Sequence, residues 1–269
     1  MLFVCPKCKQ KLNIVGSSAV CPSGHSYDRS RKGYYNLLLS QGGYHGDNRE
    51  MVLARRRFLD GGFYRPLALA VAELVSEYTE CGGELLDMGC GEGYYTEFIA
   101  KVLADKQGKI SVSGFDISKE AVMCACGRGS DVQYAVAGSY DMPVADASVD
   151  TAVNMFSPLA VDEINRVLKP TGVFIMAIPG EEHLFGLKSK LYSKPYKNTV
   201  QDTAIQGLQL VCDRSISYQI ELNSAEEIKS LFAMTPYAYR TDSEGRERLN
   251  RLESLVTDVD FRVFVYRKI

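Results

Sequence analysis

The alternation of apolar and polar positions divides this chain into clear segments. From Pro66 to Tyr78 apolar residues fall at helical spacing, at Leu67, Leu69, Ala70, Val71, Leu74 and Val75, and Cys81-Gly-Gly ends the run. Residues 84–88 form a short apolar run that reads as a buried strand, 89–93 as a turn and 94–104 as a helix. Ile110–Phe115 predicts a second strand ending at Asp116, with Ser118 as the cap of the following helix. Val161–Leu168 predicts a helix, Lys169-Pro-Thr-Gly172 a turn and Val173–Ile178 another strand. Ser215–Leu222 alternates like a strand, Ser224-Ala-Glu-Glu227 is a capping box for a helix reaching Met234, and Phe261–Tyr266 reads as a final strand that helps complete the sheet. Strands alternating with helices in this way describe an α/β domain with helices on both faces of its sheet.

Upstream of that domain the pattern changes. Arg49–Leu59 reads as a short helix capped by Asp47 or Asn48, preceded by a loop over residues 41–48. The net charge of −2 hides an asymmetry: residues 1–66 hold eleven Lys and Arg against four Asp and Glu, and the remainder holds twenty against twenty-nine. A basic N-terminal quarter suits a polyanionic partner such as nucleic acid, and it also suits a solvated basic face. Guanidinium groups at Arg29, Arg31, Arg49, Arg55, Arg56, Arg57 and Arg65 suit phosphates, and Tyr34, Tyr35 and Tyr64 suit stacking on unpaired bases. The other reading is an amphipathic linker packed on the core.

The eight cysteines sharpen the picture of the N-terminus. Cys5-Pro-Lys-Cys8 is followed after twelve residues by Cys21-Pro-Ser-Gly-His25. Zinc takes four soft or borderline ligands in a tetrahedron, and Cys3His is a common structural set. Each close pair binds from a tight turn, and a hairpin between them returns the chain to the metal. A segment of this size cannot build its own core, so the metal supplies folding energy. Four protein ligands leave no open position for water, which makes the site structural, with catalytic zinc the alternative. The other cysteines (Cys81, Cys90, Cys124, Cys126, Cys212) are scattered, as in a cytosolic chain without disulfides. No run of about 18 apolar residues is present to span a membrane, and the N-terminal apolar stretch is too short for a signal peptide, so a cytoplasmic protein is expected. The expected organisation is a zinc module over 1–35, a basic linker and helix over 36–66 and the α/β domain over 67–269.

Chemistry concentrates around the turn at 89–93. A glycine-rich strand-to-helix turn brings backbone close to a ligand and aims helix-terminal amides at it. The glycines stand at Gly89, Gly91 and Gly93, and a dinucleotide fingerprint would need another at 94, where Tyr94 stands. Asp87 before a G-x-G-x-G turn resembles instead motif I of the class I S-adenosylmethionine-dependent methyltransferases. Asp116 lies at about the spacing of an acid that binds both ribose hydroxyls. Residues 140–150 resemble the adenine-side loop of that family, and Leu168-Lys-Pro-Thr-Gly172 is another of its marks.

With the Cys3His set, the chain resembles the RlmA-type 23S ribosomal RNA (guanine-N1)-methyltransferases over almost its whole length. The resemblance rests on Cys5, Cys8, Cys21 and His25, on Lys32-Gly-Tyr-Tyr-Asn-Leu-Leu38, on Arg55-Arg-Arg-Phe-Leu-Asp-Gly-Gly-Phe-Tyr64, on Asp87-Met-Gly-Cys-Gly-Glu-Gly-Tyr-Tyr-Thr96 and on Pro179-Gly-Glu-Glu-His-Leu184. It implies a Rossmann-like class I methyltransferase sheet, S-adenosylmethionine and structural zinc as cofactors, and 23S ribosomal RNA as partner, with a homodimer open. It implies cofactor contacts from Tyr64, Asp87, Gly89, Gly91, Glu92, Gly93, Asp116 and His183. Read alone, Tyr64 passes as a core aromatic and His183 as a loop cap. Gly46-Asp-Asn48 looks like the Gram-positive branch of the family, linked to macrolide resistance.

A guanine N1 carries a proton that must leave at or before transfer, so a carboxylate base is expected. Asp141, Glu163, Glu181 and Glu182 are candidates by location only. The segment Asn154-Met-Phe-Ser-Pro158 differs from the Asn/Asp-Pro-Pro-aromatic pattern of exocyclic-amine methylation, and no Pro-Cys pair suits cytosine C5 chemistry. Phe156 either stacks on an extruded base or is a buried strand-end residue. Lys188–Lys197, with its four lysines, is expected to extend an RNA-facing surface. Two other readings stand beside this one: a small-molecule methyltransferase of quinone or metabolite type, and a non-catalytic zinc-ribbon RNA-binding protein that senses the cofactor.

Overall fold

The computed structural model describes residues 1–39, 46–80, 82–104, 110–129, 131–200 and 203–269. Most of the expected loop at 41–48, and Cys81, lie outside the described residues. The N-terminal segment contains a small sheet of β1 (Asn13–Val15), β2 (Ser18–Val20) and β3 (Ser26–Asp28), in that order. The β1–β2 hairpin, with Gly16 at φ +61°, returns the chain from the first cysteine pair to the second. Strand β4 (Tyr35–Asn36) leaves this sheet and joins the main one.

The main sheet is built from β5 (Glu84–Met88), β6 (Ser111–Asp116), β7 (Val132–Val136), β8 (Val149–Met155), β9 (Leu168–Pro179), β10 (Leu208–Leu222) and β11 (Leu255–Lys268), with β4 at one edge. Its order is β10-β11-β9-β8-β5-β6-β7-β4. The pairs from β4 to β9 are parallel, and β11 and β10 add antiparallel. From β5 the chain steps outward through β6 and β7, then returns to β8 on the other side. The switch point between β5 and β8 therefore opens a crevice at the carboxyl ends of the strands.

Alternation along β5 places Leu85 in one core and Leu86 and Met88 in the other. The first core holds α2 (Arg65–Tyr78), α3 (Tyr94–Ala104), α6 (Phe185–Leu191) and α7 (Ala225–Ala233) against the sheet. The second holds α5 (Val161–Val167) and the N-terminal segment: Leu2, Phe3, Leu12 and Ala19 are buried with Phe115, Met142 and Val144. Helix α1 (Arg49–Asp60) is capped by Asn48, whose Oδ1 accepts from Met51 N–H at 3.0 Å. Helix α4 (Lys119–Cys126) is capped by Ser118. Two short helices, α8 (Tyr237–Arg240) and α9 (Ser243–Asn250), follow α7.

Three expectations are corrected. Lys169-Pro-Thr-Gly172 is not a free turn: it is an irregularity inside β9, where the register jumps from Val149↔Leu168 to Thr151↔Val173 and Thr171 takes φ +64°. Tyr34, Tyr35 and Tyr64 are all buried, so core packing rather than base stacking occupies them. Lys188 is buried too, and its ammonium donates to Asn198 Oδ1 at 2.6 Å and Tyr196 O at 3.2 Å, so it belongs to the interior and not to an RNA surface. In the last two cases long-range packing claims a side chain whose type alone suggested exposure.

Candidate active site and metal centre

The four N-terminal ligand atoms converge. Those of Cys5, Cys8, Cys21 and His25 all lie within 4.8 Å of one another. The Cys8–Cys21 sulfurs are 3.6 Å apart, and His25 Nδ1 lies 3.5 Å from Cys5 Sγ and 3.4 Å from Cys21 Sγ. A tetrahedron with metal–ligand bonds of about 2.0–2.3 Å has edges of roughly 3.3–3.8 Å, so this donor set fits zinc. Tyr27 O–H lies 3.3 Å from Cys5 Sγ. Burial pushes the Cys5 thiol up, but this hydroxyl and the amides of Cys8 and Lys7 outweigh it and bring the pKa to about 6. The module is tied to the sheet as well as to its metal: Val4 N–H donates to Pro143 O at 2.8 Å, and Leu37 N–H donates to Val136 O at 2.9 Å.

The glycine turn sits at the switch point because each glycine there has a reason. Gly89, Gly91 and Gly93 have φ of +74°, +56° and +84°. A Cβ on Gly89 would stand 2.5 Å from that of Ser157, and one on Gly93 would stand 2.9 Å from that of Ala125. Asp87, at the end of β5, is buried, and its Oδ2 accepts from Thr96 O–H at 2.6 Å. Its Oδ1 has no hydrogen-bond partner. A buried carboxylate oxygen left unpaired beside a glycine turn is a place for a ligand's donor group. Burial raises the Asp87 pKa to about 7 against the opposing Thr96 hydrogen bond. Asp116, at the end of β6, accepts from Gly91 N–H at 3.0 Å and Ser118 N–H at 2.7 Å. Burial pushes its carboxyl upward, and these amide bonds oppose the push.

Tyr64 and His183 meet although 119 residues separate them: Tyr64 Oη lies 3.3 Å from His183 Nε2. His183 Nδ1 accepts from Asp260 N–H at 3.3 Å, which assigns the ring proton to Nε2 and makes Tyr64 the acceptor. Burial, with Lys188 nearby, lowers the His183 pKa to about 3, so the ring is neutral at physiological pH. Phe261 packs between them, 4.9 Å from Tyr64 and 4.6 Å from His183 by ring centroids. Phe156 continues the aromatic wall toward Tyr95 and is 41% exposed, which excludes the buried strand-end reading.

Glu92 is carried in the turn, and its carboxylate is held by Arg128, whose Nε donates to Glu92 Oε2 at 2.8 Å. Arg128 also pairs with Asp60 and Glu97, each at 3.0 Å. The candidate bases are scattered. Glu163 is held by Arg166 and by Met142 N–H, Asp141 pairs with Lys9, and Glu182 pairs with Lys197. The segment 180–198, which includes α6, is braced: Asn198 Nδ2 donates to Gly180 O at 2.8 Å and Glu182 N–H donates to Asp260 Oδ2 at 3.1 Å. Sequence reasoning missed Arg128, Asn198, Asp260 and Phe261, whose roles exist only through contacts distant in the chain. A separate cleft of about 680 Å3, bordered by Met51, Arg57, Lys229 and Tyr239, contains none of the predicted site residues.

A parallel sheet with an antiparallel C-terminal hairpin, a glycine turn at its switch point and strand-end acids at Asp87 and Asp116 define a class I S-adenosylmethionine-dependent methyltransferase. Comparison with known proteins agrees: residues 86–176 match the methyltransferase domain family and residues 3–42 match the family described as RlmA, N-terminal. A Bacillus subtilis protein, YxjB, provisionally named a 23S rRNA (guanine-N1)-methyltransferase, is 30% identical over 99% of this chain and 97% of its own. A Micromonospora griseorubida protein with the same provisional name is 32% identical over 88% of this chain and 87% of its own. The Streptomyces fradiae 23S rRNA (guanine(748)-N(1))-methyltransferase is 32% identical over 70% of this chain and 66% of its own. The chain belongs to the RlmA-type 23S rRNA (guanine-N1)-methyltransferase family, with S-adenosylmethionine as cofactor and zinc in its N-terminal module. Among the described residues no helix is long and apolar enough to cross a membrane.

Proposed function

We propose that this protein transfers a methyl group from S-adenosylmethionine to N1 of a guanine in 23S ribosomal RNA, in the cytoplasm. The observation that carries the reading is the joining of two sites in one body: a Cys3His module seated on the β7 edge of a sheet whose switch point holds the glycine turn. A small-molecule methyltransferase has no use for the first of these.

Bound S-adenosylmethionine supplies a methyl group already activated on a sulfonium, so the protein's work is chiefly alignment. In this reading Asp87 holds the ammonium end through its unpaired oxygen, Asp116 holds the ribose, and Gly89, Gly91 and Gly93 let the backbone close in. Glu92 contributes by bracing the turn through Arg128. Tyr64 and neutral His183 form the wall on the methionyl side. Cys5, Cys8, Cys21 and His25 hold zinc and fix the module. Arg31, Lys32, Arg49 and Arg65 are exposed and make no ion pair with the described residues, which leaves them available for phosphates. We also place a second copy of the chain along the 15-residue edge strand β10, a homodimer that sedimentation would detect.

The test is mass mapping of ribosomal RNA from cells with and without the protein. One guanine gaining 14 Da on its Watson–Crick face, only when the protein is present, is the expected result. Affinity for that RNA should fall steeply with salt. Unchanged ribosomal RNA, with methylation of a small metabolite surviving deletion of residues 1–35, would favour the small-molecule reading. Macrolide susceptibility of the two strains tests the resistance link.

A further inference from the structure

Among the described residues, Phe156 is the only aromatic with positive φ, at +60°. An L side chain in this region crowds its own backbone, and such strain persists only where the surroundings impose it. Here they do. Asn154, 4% exposed, accepts from Ser157 N–H at 3.1 Å through Oδ1 and donates through Nδ2 to Pro158 O at 3.3 Å. Ser157 O–H donates to Met88 O at 2.8 Å, and Phe156 N–H donates to Ala177 O at 3.3 Å. The turn is thus clamped from β5, β8 and β9 together.

The core accounts for only part of the residue that this clamp holds, through Phe261 and Tyr95 on one side of the ring. Glycine would relax the backbone, and 41% of the residue stays exposed, so much of the aromatic surface held at this strained φ faces out of the core. The ring stands at the carboxyl edge of β8, next to Ser157, which closes over Gly89. Its centroid is 6.2 Å from Tyr95 and 5.7 Å from Phe261, which leads inward to His183 and Tyr64. The rings of Tyr64, Phe261 and His183 are inside, and Phe156 is the ring at the mouth.

We propose that Phe156 is the platform on which the target purine stacks once extruded from the RNA, presenting its ring nitrogen to the cofactor side. This rests on the RNA-methylating reading above. The cofactor has its own charged holders in Asp87 and Asp116, whereas an extruded base needs an exposed π-face at the mouth of the site.

The test uses the full-length zinc-loaded protein with Phe156→Gly, Phe156→Leu and Phe156→Trp. Melting temperature, S-adenosylmethionine affinity by calorimetry, and methylation of deproteinised 23S rRNA from a strain lacking the protein are measured. Phe156→Gly should melt at or above the wild-type temperature, because glycine adopts this φ without strain. Its cofactor affinity should stay within about twofold, while kcat/KM on the RNA falls at least ~10-fold. Phe156→Leu should resemble the glycine variant and Phe156→Trp should recover most activity. A glycine variant with wild-type kcat/KM overturns the proposal. So does one that loses cofactor affinity in parallel, which makes the ring a cofactor wall, or one that melts well below wild type, which makes it a core residue. A wild type that binds cofactor but leaves this RNA unmethylated overturns the underlying reading along with it.

Discussion

At the scale of single residues, burial shifts two groups in opposite directions, each toward its neutral form. Asp87 has its pKa raised to about 7 by burial, well above the ordinary carboxylate value. A raised folded-state pKa means that the stability it contributes is present in acid and lost as pH rises through about 7. The cofactor-free protein should therefore lose some thermal stability through this group between about pH 4 and 7, and Asp87→Asn should flatten that slope. If Asp87 receives the ammonium group, cofactor affinity should rise with pH, by roughly tenfold per unit below 7, and calorimetry on the two proteins checks it. His183 is the reverse case: burial lowers its pKa to about 3, so its stabilising contribution is complete above its unfolded value and is lost as pH falls toward 3. Tyr64→Phe removes the partner of the His183 ring proton at 3.3 Å. The expected loss of stability is about 1–3 kcal/mol in urea denaturation.

Elements are joined here by one buried ion network. Arg128, just after α4, reaches Glu92 in the glycine turn, Glu97 in α3 and Asp60 at the end of α1. Its side chain is 6% exposed and that of Glu92 is 1% exposed, so neither can fall back on water. Arg128→Met should destabilise the protein by about 3–5 kcal/mol, because the Glu92 charge is left buried and unpaired. The double variant Arg128→Met with Glu92→Met should recover much of that loss, and denaturant titration of the three proteins measures the coupling. The network also links the basic helix α1 to the turn that meets the cofactor. The same helix lies beside the turn, since a Cβ on Gly91 would lie 4.0 Å from Arg55 Nη1.

At the scale of the whole molecule, the zinc module is part of the architecture. Leu2, Phe3, Leu12 and Ala19 cover the sheet beside α5, and β4 lengthens it by a strand. Zinc therefore stabilises more than its own segment. Chelation, or Cys8→Ser, should lower the melting temperature of the full chain by roughly 5–10 °C and release one zinc per chain, read by a colorimetric chelator.

What the sequence by itself determined is local. The glycine turn, the strand-end acids Asp87 and Asp116, the helix caps Asn48, Ser118 and Ser224, and the spacing of Cys5, Cys8, Cys21 and His25 all act over a few residues or one hairpin. Periodicity and turn chemistry report such features directly. What only the tertiary structure decided depends on partners far along the chain. Tyr64 reads as an ordinary core aromatic until His183 arrives from 119 residues away. Glu92 has no evident partner until Arg128 takes its carboxylate, and Lys188 reads as surface until Asn198 and Tyr196 accept its ammonium in the interior. Burial is a property of the assembled sheet and helices, and no residue's type or immediate neighbours contain it.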